Sequence, residues 1–318
     1  MVSEPVDKCE TINKKMSWGM FALVFVTVFA VTYFILLLIF RLLYVSEIDN
    51  PEIVGECPSL SGEVINSNEC LTDFSLIRKI DFQSVIDDWA SSVGGNAGVI
   101  VYDLMAGEVA GEYNADKKFA TASIYKLFVV YAGYLKVDSG EWDGNMIAGS
   151  TGHTVLQCLD LAIRESNSAC AETLWGMIGR DELDKIVHSV FNLSDVYVGS
   201  LSATPREIMR MMLRFYQHTE MDDWSLISLM KDSFLNQPKT IYNWRQGLPS
   251  GFSNNALVYN KVGWEFDGEK WIIYNDAAIV DFVDAGRTFV VVVMTNNIDY
   301  KRIVGFAKQL EESFYNSI

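Results

Sequence analysis

Histidine is scarce in this chain, with three in 318 residues, at His153, His188 and His218. No two of them stand at a ligand spacing, and the five cysteines include no C-x-x-C pair. Structural and catalytic zinc sites draw on clustered His and Cys, so neither a metal nor another cofactor is expected. Positive charge is also in deficit, at 25 Lys and Arg against 41 Asp and Glu, a formal net charge of −16. Such a surface repels nucleic acid and anionic headgroups, and no nucleic-acid partner is expected. Internal repeats and low-complexity tracts are missing as well.

What the chain has is apolar bulk: 50% hydrophobic and 13% aromatic residues, against 21% charged. Residues 16–40 are 25 consecutive uncharged positions, mostly Phe, Val, Leu, Ile and Ala. About 20 residues of helix cross a bilayer's hydrocarbon, and the exit Arg41-Leu42-Leu43-Tyr44 lacks the small-x-small pattern of a signal-peptidase site. A retained transmembrane anchor over 16–44 is expected. Lys8, Lys14 and Lys15 precede it and only Arg41 follows closely, so a cytoplasmic tail 1–15 and an extracytoplasmic remainder follow from the positive-inside rule. Four cysteines then lie in a disulfide-permissive compartment. Local spacing favours Cys57–Cys70 and Cys158–Cys170 over the two other connectivities.

Residues 45–80 are polar and turn-rich, and read as a stalk before one large domain, 81–318. Phe82, Val85, Ile86 and Trp89 recur at helical spacing. Residues 97–104 and 108–113 form a hairpin about Gly107. Helices are expected over 155–164, 169–178, 180–190, 205–219 and 226–235, with Thr204 capping and Pro205 opening the fourth. Strands over 256–262, 270–283 and 288–296 and a last helix over 300–315 complete the pattern. Strands at both ends with helices between imply an α+β domain whose sheet pairs the two ends.

The chemistry is concentrated in three segments. In Ser123-Ile124-Tyr125-Lys126 a helical turn places hydroxyl beside amine, because positions three apart share a face. A lysine with a lowered pKa can take the proton that makes serine nucleophilic. Ser166-Asn167-Ser168 falls in a loop between helices. Lys261-Val262-Gly263 lies on a strand, before Trp264. This order of S-x-x-K, S-x-N and K-T-G-like segments resembles the penicillin-recognising serine enzymes, and most closely the class A β-lactamases. Ser202-Ala203-Thr204-Pro205 is similar to that family's T-T-P helix start, and Tyr274-Asn275-Asp276-Ala277-Ala278 to its R-N-D-I-A strand.

The resemblance implies a β-lactamase/transpeptidase-like fold, with an antiparallel sheet and a helical subdomain. It implies an acyl-enzyme mechanism on a β-lactam or a D-Ala-D-Ala-type amide, small molecule or peptidoglycan. Ser123 is then the nucleophile, Lys126 its proton acceptor and Ser166 the relay to the leaving nitrogen. Lys261 would hold a substrate carboxylate, and Ser168 or Asn167 would contact substrate. The backbone N–H groups of Ser123 and Glu265 would form the oxyanion hole. Gly263 would leave room for a ligand, and Trp264 is the foremost candidate for a cleft wall; Trp142, Trp175, Trp244 and Trp271 read as core or pocket lining.

Three departures stand against full activity. Ser168 stands where the S-x-N motif ends in Asn, and Val262 replaces the Thr of K-T-G. The loop Phe191–Leu201 has no glutamate where class A enzymes carry the one that activates the deacylating water; Asp195 is its only carboxylate. A non-catalytic cell-wall binding module on the same fold is the alternative reading.

Overall fold

The last strand of the chain lies in the middle of the sheet. The computed structural model describes residues 78–221, 230–235 and 243–318, all within the unit Asp73–Ile318. The anticipated tail, span 16–44, all but the end of the stalk and the Cys57–Cys70 bridge lie outside these residues. Among the described residues no helix is long and apolar enough to cross a membrane. Strands β1 (Ala97–Asp103), β2 (Glu108–Tyr113), β5 (Ala256–Phe266), β6 (Trp271–Phe282) and β7 (Arg287–Thr295) form one antiparallel sheet in the order β2-β1-β7-β6-β5. Two short strands, β3 (Phe119–Ala120) and β4 (Ser202–Ala203), pair separately.

Both faces of the sheet are covered, which is why β7 reads as an unbroken Val-rich run instead of an alternating one. Val99, Val101, Val280, Val291 and Val293 pack with helices α1 (Gln83–Ser92) and α8 (Tyr300–Ser317). Their alternates Ile100, Ile279, Val290 and Val292 face the helical subdomain. At its centre runs α2 (Lys126–Asp138), buried continuously from Lys126 to Tyr134. A helix apolar on every side belongs in a core. Around it stand α3 (Val155–Arg164), α4 (Ser168–Ile178), α5 (Arg180–Lys185) and α6 (Pro205–Met221), followed by a short α7 (Met230–Leu235).

The start signal read at Thr204 acts as anticipated, and α3 carries one that was not read. Thr154 and Gln157 form a reciprocal capping box on α3, and the Thr204 hydroxyl accepts from the Glu207 N–H at the head of α6. The single helix expected over 180–190 instead gives way after Lys185 to a π-helical turn, Ile186–Val190. Strand β5 runs on past its expected end at 262 to Phe266, because its pairing with β6 continues that far.

Candidate active site

Ser123 sits in a 3₁₀ turn, Ala122–Tyr125, so the α-helix opens three residues later than expected, at Lys126. The turn is tightly held. Ala122 adopts the left-handed region (φ 44), where an L-residue is strained. Asn275 Nδ2 donates to the carbonyls of Ala120 (2.7 Å) and Thr121 (3.3 Å). On the neighbouring strand a Cβ at Gly263 would lie 2.2 Å from the Thr121 carbonyl oxygen and 2.9 Å from Ile124 Cγ1. Gly263 therefore makes room for the turn that carries Ser123, where the sequence had suggested room for a ligand.

Five of the anticipated residues converge. Lys126 is wholly buried. Its Nζ lies 3.1 Å from Ser123 Oγ, 3.2 Å from Ser166 Oγ and 3.1 Å from Ser168 Oγ, and it donates to the Ser166 carbonyl. Four oxygens exceed the three N–H bonds of an ammonium, so the surroundings also suit a neutral amine accepting from one hydroxyl. Burial pulls the Lys126 pKa down from 10.5 to about 8, with Glu172 opposing the shift. Lys261 is 1% exposed and donates to Ser166 Oγ (3.0 Å) and to the Val262 carbonyl (2.7 Å). Burial, then the charge of Lys126, push its pKa well below the ordinary value.

Ser166 is thus shared by two amines. Its backbone is left-handed (φ 55); its hydroxyl meets both amines and its carbonyl meets Lys126 alone. Among the described residues neither lysine forms an ion pair with a carboxylate, although the buried Asp276 charge reaches Lys261. The frame around the site is braced: Cys158 and Cys170 are bonded, joining α3 to α4 across the Ser166 loop, and Trp244 Nε1 donates to the Glu165 carbonyl (3.0 Å).

Other anticipated residues lie elsewhere. The Asn167 side chain caps α4, its Oδ1 accepting from the Cys170 N–H at 3.0 Å, so that carbonyl is turned to the helix and not to a substrate. Trp264 is on the opposite face of β5 from Lys261 and Gly263, since side chains alternate along a strand. It packs edge-on to Tyr274 (5.1 Å) and beside Tyr300, with the α1 and α8 core. It is no cleft wall. Val262 is buried on that face also, in register with Asp276, so a threonine hydroxyl there would point away from Ser123. Glu265 is exposed near the end of β5. Asp195 pairs with Lys118 at 3.4 Å, both half-exposed, and takes no part in the lysine–serine cluster. Two contributors escaped sequence reading. Asn275 was visible only as part of a strand motif, and the signal for Glu172 is its i+4 spacing from Ser168.

An α+β frame with serine, lysine, serine and lysine gathered beneath the edge strand defines the class as that of active-site-serine proteins of the β-lactamase type. The chain belongs to the beta-lactamase enzyme family, whose model matches residues 81–317. Among solved structures it is similar to a PBP-A mutant held as an acyl-enzyme complex with penicillin G, at TM-score 0.63 and 19% identity over 76% of this chain and 100% of that one. An ancestral class A beta-lactamase gives TM-score 0.61 and 18% identity, covering 74% and 100% of the two chains. A representative of class A beta-lactamase from Bacteroides cellulosilyticus gives 0.59 and 15%, covering 73% and 97%. No curated protein sequence matches the chain.

Proposed function

We propose that this chain is a serine hydrolase acting through a Ser123 acyl-enzyme on an amide beside a carboxylate, a β-lactam or a D-Ala-D-Ala-type peptide. The observation that carries this reading is the wholly buried Lys126, with its lowered pKa, 3.1 Å from Ser123 Oγ. Lys126 takes the Ser123 proton as Oγ attacks the carbonyl carbon. Ser166, held between Lys126 and Lys261, passes its proton to the departing nitrogen and regains one from Lys126, and the acyl group stays on Ser123. The substrate carboxylate neutralises the paired amines and is held by Lys261, with the exposed Ser168 hydroxyl adding a contact. Backbone N–H groups of Ser123 and Glu265 receive the oxyanion, a contribution of about 10²–10³ in rate per donor. The penicillin bound to PBP-A in that shared fold supports the substrate class. Residues 16–44 hold the domain to a membrane, with the site on the extracytoplasmic side.

A fluorescent penicillin tests the proposal. It should label the full-length chain at Ser123; Ser123→Ala should abolish the label and Lys126→Ala nearly so, because the two act as a unit. If neither penicillins nor peptide esters form an adduct on folded protein, the hydrolase reading falls. The non-catalytic binding module, to which the shortened Ser168 side chain points, then takes its place.

A further inference from the structure

A serine enzyme that turns over must release its acyl group, and the loop expected to activate the water offers only Asp195, which is engaged by Lys118. Helix α4 offers another carboxylate. Positions 168, 172 and 175 are spaced i, i+4 and i+7, so they lie along one face of that helix. The two ends of this stripe are fixed against the nucleophile's turn. Ser168 Oγ is 3.1 Å from Lys126 Nζ, and the Trp175 ring stands 5.5 Å from the ring of Tyr125. Glu172, between them, must face Tyr125 and Lys126.

We infer that Glu172 is the general base that activates water for hydrolysis of the Ser123 acyl-enzyme. This rests on the acyl-enzyme reading above. Glu172 is exposed and, among the described residues, forms no hydrogen bond or ion pair, so its oxygens are open to water. Its charge reaches the site: burial and then Glu172 raise the Tyr125 phenol to about 12, and Glu172 opposes the lowering of Lys126. The segment is rigid where precision is needed, since α4 is capped by Asn167 and tied through Cys170 to α3. Two other carboxylates of the helical subdomain are engaged. Glu207 is buried against the Asp195 N–H and Arg210, and Asp160 is bound to Arg164 and Ser233.

In the step itself, water oxygen bonds to the ester carbonyl carbon while one water proton passes to the Glu172 carboxylate. The tetrahedral adduct collapses with cleavage of the bond from that carbon to Ser123 Oγ. Oγ takes a proton from Lys126, which is restored by the proton held on Glu172. Acid product and free serine result, with Glu172 and Lys126 as they began.

The experiment acylates the full-length chain with penicillin G, removes excess ligand and follows the Ser123 ester by intact mass. General-base catalysis is worth about 10²–10⁴, so Glu172→Gln should still form the ester but lengthen its lifetime by about 100-fold or more. Glu172→Asp should fall between, and Asp195→Asn should leave the lifetime as in the parent. A Glu172→Gln ester that decays within about threefold of the parent rate overturns the inference, as does lengthening by Asp195→Asn instead. A parent ester that never decays also overturns it. If the parent never forms the ester, it is the acyl-enzyme reading that has failed, and Glu172 with it.

Discussion

Lys126 has two properties that ordinarily oppose each other, complete burial and an amine in contact with three hydroxyls. Burial disfavours the ammonium, which makes the lysine a usable base near neutrality. With a pKa of about 8, about a tenth of the protein carries the neutral amine at pH 7. Ser123 labelling by a penicillin should therefore rise about tenfold from pH 6 to pH 7 and level off above about 8. A profile flat from pH 6 to 9 would deny Lys126 the role of base. The same shift bears on stability. Between about 8 and the ordinary 10.5 the unfolded chain binds the proton that the folded chain has released, so stability rises with pH across that window. Lys261, lowered in the same direction, adds to the effect. Of this cluster, Ser123 and Lys126 were legible from their spacing, and Ser166 and Lys261 from their motifs. The cap made by Asn167 and the approach of Glu172 were not, because both depend on where α4 begins. The placement of Trp264 was within reach: an odd step from Lys261 along a strand reverses the face.

At the scale of elements, the site exists because β5 and the Ala122–Tyr125 turn lie in contact. Gly263→Ala would drive a methyl carbon to 2.2 Å from the Thr121 carbonyl oxygen. Backbone cannot yield as a side-chain tip does, so the turn and the strand must part. We expect about 1–3 kcal/mol of lost stability. A penicillin-labelling rate down about 10²-fold should accompany it, since displacements of about 1 Å have that effect on positioned groups. Melting temperature and labelling rate, measured on the same preparation, check both; an undisturbed labelling rate would mean that the contact does not set the geometry. The order of elements was readable from hydrophobic period and caps, and α3 matches its expected bounds. The π-helical turn at Ile186–Val190 was not readable, since it breaks no pattern of apolar residues and contains no Gly or Pro. The 3₁₀ turn at Ser123 is likewise imposed from outside, by Asn275 and Gly263, which stand more than a hundred residues away.

For the whole molecule, the sequence reading places one domain on one side of a membrane. The uncharged run 16–40 and the lysines before it lead us to expect that protease added to intact cells removes the domain and leaves a small membrane fragment. A full-length chain that stays protected, or a mature form lacking residues 16–40, would refute that topology. The sheet order has a further consequence, one of timing. Before β7 is available, β1–β2 and β5–β6 are two separate hairpins with open edges, and isolated hairpins are marginal in water. β7 joins them by pairing with β1 on one side and β6 on the other, yet of these five strands it is the last to be made. A chain delivered N-terminus first must therefore wait, its sheet incomplete, until Thr295 has emerged. The Cys158–Cys170 loop, closed over only 12 residues, can be fastened earlier. The helical half is pinned first and the sheet that carries Lys261 is completed afterwards, so the cluster of Ser123, Lys126, Ser166 and Lys261 comes together only once β7 has been made.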